Sequence, residues 1–241
     1  MLEGLYSAAA GMQAQQQRID SVANDLANVN TNGYKRSRVA FRDLMYVADA
    51  SGNVRSGAGT AATTIGRGFA QGALRETGNP LDLAIEDGGF LQVRRQDGTT
   101  ALTRDGALRL DLRGRLTTAR GDLVQPAITV PAGTKESDVQ IASDGTVSVD
   151  NRPIGQIRVM TVRSPQALDS IGDNLFRPTA ASGQATAFAG GRLTQGAVEA
   201  SNVDVADSMT EMIDAQRSFQ LASKAIQMQD QLLQIANQVK S

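Results

Sequence analysis

The chain of 241 residues is long enough to bury a substantial core, as one domain or as two. Its 24 Lys and Arg nearly cancel 25 Asp and Glu, so a nucleic acid or an anionic membrane finds no electrostatic footprint, and little charge holds identical copies apart. With no Cys, His or Trp there are no thiolate nucleophiles, thiolate metal sites or imidazole bases, and the chain is expected to be neither an enzyme nor the holder of a cofactor or metal.

The opening MLEGLYSAAAGMQAQQQRID has an acid at Glu3, no basic start and no uninterrupted apolar run, so it does not read as a secretory signal. From Leu2 onward, Leu5, Ala9, Met12, Ile19, Ala23 and Leu26 recur at alternating spacings of three and four, with Gln16 in the one missing place. That is a heptad seam, narrower than the apolar face of an ordinary surface helix. Asn28, Asn30, Asn32 and Gly33 supply the turn chemistry that stops it. Asn24 belongs to the same polar cluster, and local capping accounts for much of it.

Residues 48–72 are rich in Gly, Ala, Ser and Thr without period and read as a linker, or as a segment that orders on assembly. A second such stretch lies at 179–191. Between them come short strand-like runs: LDLAI, FLQVRR, TALTR, ALRLDL, VQIA, TVSVD and IGQIRVMTVR. Asp97-Gly98, Asp105-Gly106 and Asp144-Gly145 punctuate them as hairpin turns. Strands at this spacing without intervening helices predict an antiparallel all-β domain.

After Ser201 and Asn202, a plausible cap region, the chain runs on without Gly or Pro to its last residue. Val205, Met209, Met212, Phe219, Ala222, Ile226, Leu233 and Ala236 repeat the seam, with Gln216 and Gln229 near the gaps and a phase shift after Phe219. A helix of that length spans roughly 45 Å, too long for a small middle domain to cover. The two terminal helices either pair within the chain and pack on the β-domain, or find partners in other copies. The seam glutamines tilt toward the second, because a polar group in a seam serves best as a register or oligomer device.

The fold class expected is mixed α and β, with discontinuous terminal helices forming a coiled-coil core domain and an antiparallel all-β domain inserted between them. The expected divisions are a helix in 1–35, an extended linker at 36–72, the β-domain at 73–200 and a second helix at 201–241. The runs Gly57-Ala58-Gly59 and Gly66-Arg67-Gly68 lack the strand-to-helix setting and the G-K-[ST] of a phosphate loop. Glu86 and Asp87 are adjacent, would point to opposite faces of a strand, and do not converge as an acid–base pair.

Three groups of residues resemble a known family. Ser7-Ala8 with Gly11-Met12, then Ala23-Asn24-Asp25-Leu26-Ala27-Asn28-Val29-Asn30-Thr31-Asn32-Gly33-Tyr34-Lys35, closely resemble the N-terminal signature of the flagellar rod, hook and hook-associated axial proteins. The stretches from Gln195 to Val205 and from Met212 to Phe219 look like the family's second signature. Gly78 to Ile85, Gly89-Phe90, Thr103-Arg104-Asp105-Gly106 and Gln125-Pro126-Ala127-Ile128 match in the middle. The N-terminal signature more often has Asn where this chain has Asp25, a change that keeps the acceptor and loses the donor.

The resemblance implies a structural, self-assembling subunit of the bacterial flagellar basal body, most like the distal rod, with the single-domain proximal rod as the alternative. It implies a helical tube that carries torque from motor to hook, with packed terminal helices inside and the β-domain outside. It also implies export through the flagellar type III apparatus without a cleaved signal, which would take the chain outside the cytoplasm, to the periplasm where an outer membrane exists. The partners implied are further copies of the chain, proximal rod and hook proteins, the surrounding rings and the export apparatus. The assembly interface expected comprises Leu5, Met12, Ile19, Leu26, Asn24, Asn28, Thr31, Gly33 and Tyr34 at one end, with Val205, Met209, Met212, Gln216, Phe219, Ile226 and Leu233 at the other. The rival reading is a soluble binding module that does not polymerise.

Overall fold

The computed structural model describes residues 2–44, 46–48, 55–57 and 59–240. It divides into a helical unit (1–27, 37–65 and 204–241) and a β-rich unit (28–36 and 66–203).

In the helical unit, α1 covers Leu2–Ala27 and α2 covers Val205–Lys240, and the two helices pack against each other. At 1.5 Å per residue they are about 39 and 54 Å long. The cap of α2 falls later than Ser201: the Asp204 carboxylate accepts the Asp207 N–H at 3.0 Å. Asn202 is occupied elsewhere, donating to the carbonyls of Gly68 and Ala70 and accepting the Arg36 N–H. A carboxylate is a stronger acceptor than a hydroxyl for orphan N–H groups at the positive end of a helix.

The stretch read as a linker carries strands. Ser37–Asp43 pairs with Thr60–Arg67, and Tyr46–Ala48 with Arg55–Gly57. Small residues hid this, because Ala and Thr in a two-stranded ribbon give almost no apolar alternation. The Ser37 N–H donates to the Asp25 carboxylate at 3.0 and 3.2 Å. At the other end the Leu44 N–H reaches the Gly59 carbonyl, and Gly59 lies against Ser7 and Ala10. The strand therefore runs back along α1, about seven residues at 3.3 Å matching about seventeen at 1.5 Å.

In the β-rich unit every strand pairing is antiparallel. Its largest sheet has Phe90–Arg94 at the centre, flanked by Thr100–Thr103 on one side and by Leu123–Gln125 and Val159–Thr161 on the other. Alternation along the central strand serves two cores. Leu91 and Val93 join a large aliphatic cluster with Leu81, Leu83, Leu108 and Val147. Phe90 points the other way, into a cluster with Leu102 and Phe176. There Phe69, Phe90 and Phe176 meet edge to face at centroid distances of 5.3, 5.1 and 6.1 Å.

Two of the expected hairpins form, at Asp97-Gly98 and Asp144-Gly145. Asp105-Gly106 does not close one: the strand before it pairs with Phe90–Arg94 and Leu175–Arg177, and the strand after it, Leu108–Leu110, pairs with Leu116–Thr118. The dipeptide instead crosses beneath Leu83, whose carbonyl oxygen would lie 1.6 Å from a Cβ on Gly106. Close backbone approach, and not a tight turn, is the reason for glycine here.

Candidate assembly surface

The N-terminal signature ends in a turn built from its own side chains. The Thr31 N–H donates to the Asn28 carbonyl at 3.1 Å, and the Thr31 hydroxyl to the Asn28 side-chain oxygen at 3.2 Å. The chain then enters the β-rich unit. Gly33 takes φ +67°, donates its N–H to the Glu199 carbonyl at 2.7 Å, and would place a Cβ 2.6 Å from the Arg104 backbone. Tyr34 is buried, with the Arg67 guanidinium 5.0 Å over its ring. Gly33 and Tyr34, expected at an assembly interface, are thus enclosed by the chain's own β-rich unit, because the turn is filled from within.

Next to them the three signature segments meet at one carboxylate. Glu199 pairs with Lys35 Nζ at 2.5 Å and with Arg104 Nη1 at 3.0 Å, all three side chains being almost fully buried. Glu199 also accepts the Gly72 N–H at 2.8 Å, and Lys35 donates to the Ala70 carbonyl at 2.8 Å. Arg104 lies 5.1 Å over the Phe90 ring, and its Nε is buried without a hydrogen-bond partner among the described residues. Burial pulls the Lys35 amine below its ordinary 10.5, against the raising effect of Glu199. Sequence reasoning missed this cluster, whose members are separated by up to 164 positions.

The helices carry the opposite pattern. In α1 the buried residues are Ala14, Val22 and Asp25, while Ala9, Gln16 and Ala23 of the expected seam are exposed. Met12, Ile19 and Leu26 are half-buried, so that seam lies at the edge of the covered face. Asn24 is exposed, and Asn28 and Thr31 are half-buried. In α2 the covered face is centred on Ser208 and Ala215, with Met212, Phe219 and Ile226 half-buried beside it. Val205, Met209 and Gln216, from the same expected seam, face solvent. The side chains of Leu5, Leu233 and Ala236 lie outside those described.

A second stripe takes the outer side of α2. Leu221, Ala225, Met228, Leu232 and Ile235 follow one another at spacings of four, three, four and three, all exposed. Leu221 is 67% exposed, Met228 60%, Leu232 58% and Ile235 56%, where surface leucines and isoleucines normally stand singly. Nearer the start of the helix Val205, Met209 and Ile213 are also exposed, off the line of this stripe. Because α2 is ten residues longer than α1, part of its length has no α1 residue left to face. A four-three spacing of apolar residues is the pattern of knob-into-hole helix pairing.

Three family models match this chain: "Flagella basal body rod protein" over residues 5–35, "Flagellar hook protein FlgE/F/G D1 domain" over 84–149, and "Flagellar basal body rod FlgEFG protein C-terminal" over 194–239. Among curated relatives, the flagellar basal-body rod protein FlgG of Borreliella burgdorferi is 41% identical over 263 aligned positions, covering 100% of this chain and 99% of the relative. FlgG of Caulobacter vibrioides is 39% identical, with 100% of both chains covered. FlgG of Bacillus subtilis is also 39% identical, with 97% of each covered.

Proposed function

The chain belongs to the family of flagellar basal-body rod proteins, and from that premise we propose that it is a distal-rod subunit whose helices bind neighbouring copies through the outer stripe of α2. The observation that carries this reading is the exposed four-three spacing from Leu221 to Ile235, a seam with no partner helix from α1 on that side. Seams of neighbouring copies interdigitate, and a contact between unlike surfaces that does not close on itself generates a helical tube. Met12, Ile19 and Leu26 of α1, with Met212, Phe219 and Ile226 of α2, are half-buried beside the covered face and offer a second surface apart from that stripe.

The role is mechanical and structural, carrying torque along the tube toward the hook. Neighbouring rod and hook proteins at the ends of the tube, the surrounding rings and the export apparatus are the further partners of this reading. No helix among the described residues is long and apolar enough to cross a membrane. The destination outside the cytoplasm follows here from export through the flagellar apparatus.

The test is assembly of the purified chain over a concentration series, by sedimentation velocity. Wild-type chain should grow with concentration, and Leu221→Ser with Leu232→Ser should stay monomeric with an unchanged circular dichroism spectrum. Growth of the double variant equal to wild type would refute the seam.

A further inference from the structure

The turn at 111–114 is locked more firmly than a surface turn requires. One carboxylate, Asp111, accepts the N–H groups of Arg113 and Arg115 at 2.8 Å each, and its second oxygen takes the Arg115 guanidinium at 2.8 and 2.7 Å. The Gly114 N–H closes the turn on the Asp111 carbonyl at 2.9 Å, and the Val130 N–H holds the Gly114 carbonyl at 2.7 Å. This rigid frame presents Leu112, whose exposure of 108% exceeds that of a reference extended chain. Turn geometry alone is served by Asn, Asp or Gly, and gives no reason for a large apolar side chain at the tip. Arg109 and Arg113 flank it, exposed and without a side-chain partner among the described residues.

A complementary pocket of about 300 Å³ lies in the same unit, lined among others by Arg95, Asp97, Arg120, Asp122, Asp173 and Leu175. Two ion pairs neutralise most of its rim, Arg95–Asp97 at 3.1 Å and Arg120–Asp173 at 2.7 Å. Asp122 is left over: it lines the pocket, and no side-chain partner is found for its carboxylate among the described residues.

Tip and pocket stand at the two ends of one strand. The tip precedes Leu116–Thr118 and the pocket's Arg120 and Asp122 follow it. From Gly114 to Thr118 the chain rises by on the order of 13 Å, and the turn closed by the Gly121 N–H on the Thr118 carbonyl then leads to Asp122. We infer that the 111–114 tip of one copy seats in the Asp122 pocket of a second copy, Arg113 reaching the Asp122 carboxylate while Leu112 covers the aliphatic stems of Arg95 and Arg120. The contact rests on the rod reading and adds to it a link between β-rich units. Because it joins unlike surfaces at opposite ends of a strand, it repeats head to tail, and extends as a filament when the rotation between copies does not close a ring. Arginine paired with a carboxylate, and a large side chain that shields the pair from water once seated, are the composition of an interface hot spot.

The cysteine-free chain makes the test clean. Leu112→Cys and Gln96→Cys chains, mixed and oxidised with a copper catalyst, should give a covalent heterodimer in about tenfold greater yield than Leu112→Cys with the exposed Ser137→Cys. A yield no greater than that control overturns the contact. Separately, Arg113→Asp and Asp122→Arg should each raise the concentration at half-assembly about tenfold, and the two together should restore it. If seam variants stop growth while both charge variants assemble like wild type, this contact falls and the rod reading stands. If seam variants assemble normally, the seam falls, and the cross-link still decides this contact by itself.

Discussion

The β-rich unit and the helical unit place their large side chains in opposite ways. In the first, Phe90, Leu91, Val93 and Leu116 are essentially inaccessible, and even Lys35, Arg104 and Glu199 are drawn inside. In the second, the buried positions of α2 are Ser208 and Ala215, while Met209, Ile213, Leu221, Met228, Leu232 and Ile235 are outside. Small residues at the covered face let two helices approach closely, and they leave the apolar area of the helix unspent. One unit is finished by folding. The other leaves apolar side chains open to solvent, and the contrast separates what the chain needs for stability from what the proposed assembly would use.

That contrast can be broken most forcefully at Glu199. Glu199→Gln leaves two buried cations against no anion and should cost about 3–5 kcal/mol, read as a large fall in the urea midpoint of the β-rich unit. A midpoint unchanged within error would mean that Lys35 is already neutral and that the cluster contributes little. Ala215→Leu attacks the other unit from within. Overfilling the close helix contact should cost about 1–3 kcal/mol, checked by the thermal midpoint of the helical circular dichroism signal.

A smaller effect should appear with pH. Burial, together with the neighbouring Asp82, raises the Asp105 carboxyl above its ordinary 3.8, so the folded state holds that proton more tightly than the unfolded one. Stability should therefore fall as pH climbs from 3.8 through the raised value, and Asp105→Asn should flatten stability against pH across that window. Asp97, Asp111 and Asp144 are held below 3.8 by hydrogen bonds from Thr99, Arg115 and Thr146, and they act in the opposite sense at lower pH.

The smallest stability effect, within about 0.5 kcal/mol, is expected for Leu232→Ser in the monomer, by the same urea titration, because that side chain is 58% exposed. A loss of more than about 2 kcal/mol would show that the outer stripe is already packed, and the contrast between the units would fail. The stripe is also nearly free of charge, with Lys224 and Asp230 the charged residues from Ser218 to Val239. Assembly through it should vary little between low and moderate sodium chloride and strengthen in sulfate.

Much of this was legible in the sequence. Alternation and Asp-Gly turns marked most strands of the β-rich unit, and the three-four spacing marked both helices. The choice between two seams on α2 was not. Leu232 and Leu233 are neighbours, so the same residues support either phase, and which side is covered depends on where Ala215 and Ser208 admit α1. The ribbon at 37–67 was hidden by Ala and Thr, and the Lys35–Arg104–Glu199 cluster by separation along the chain, since periodicity reports only local structure.

The cluster also sets an order in time. A chain made from its N-terminus acquires Lys35 early and Arg104 midway, but the anion they share is Glu199, near the end. Until that residue is delivered, the β-rich unit lacks the group that makes its interior electrically tolerable, so every chain that ends before Glu199 stays short of its closing step. A fragment ending at residue 190 should then show weak, non-cooperative unfolding where the full chain shows a sharp transition.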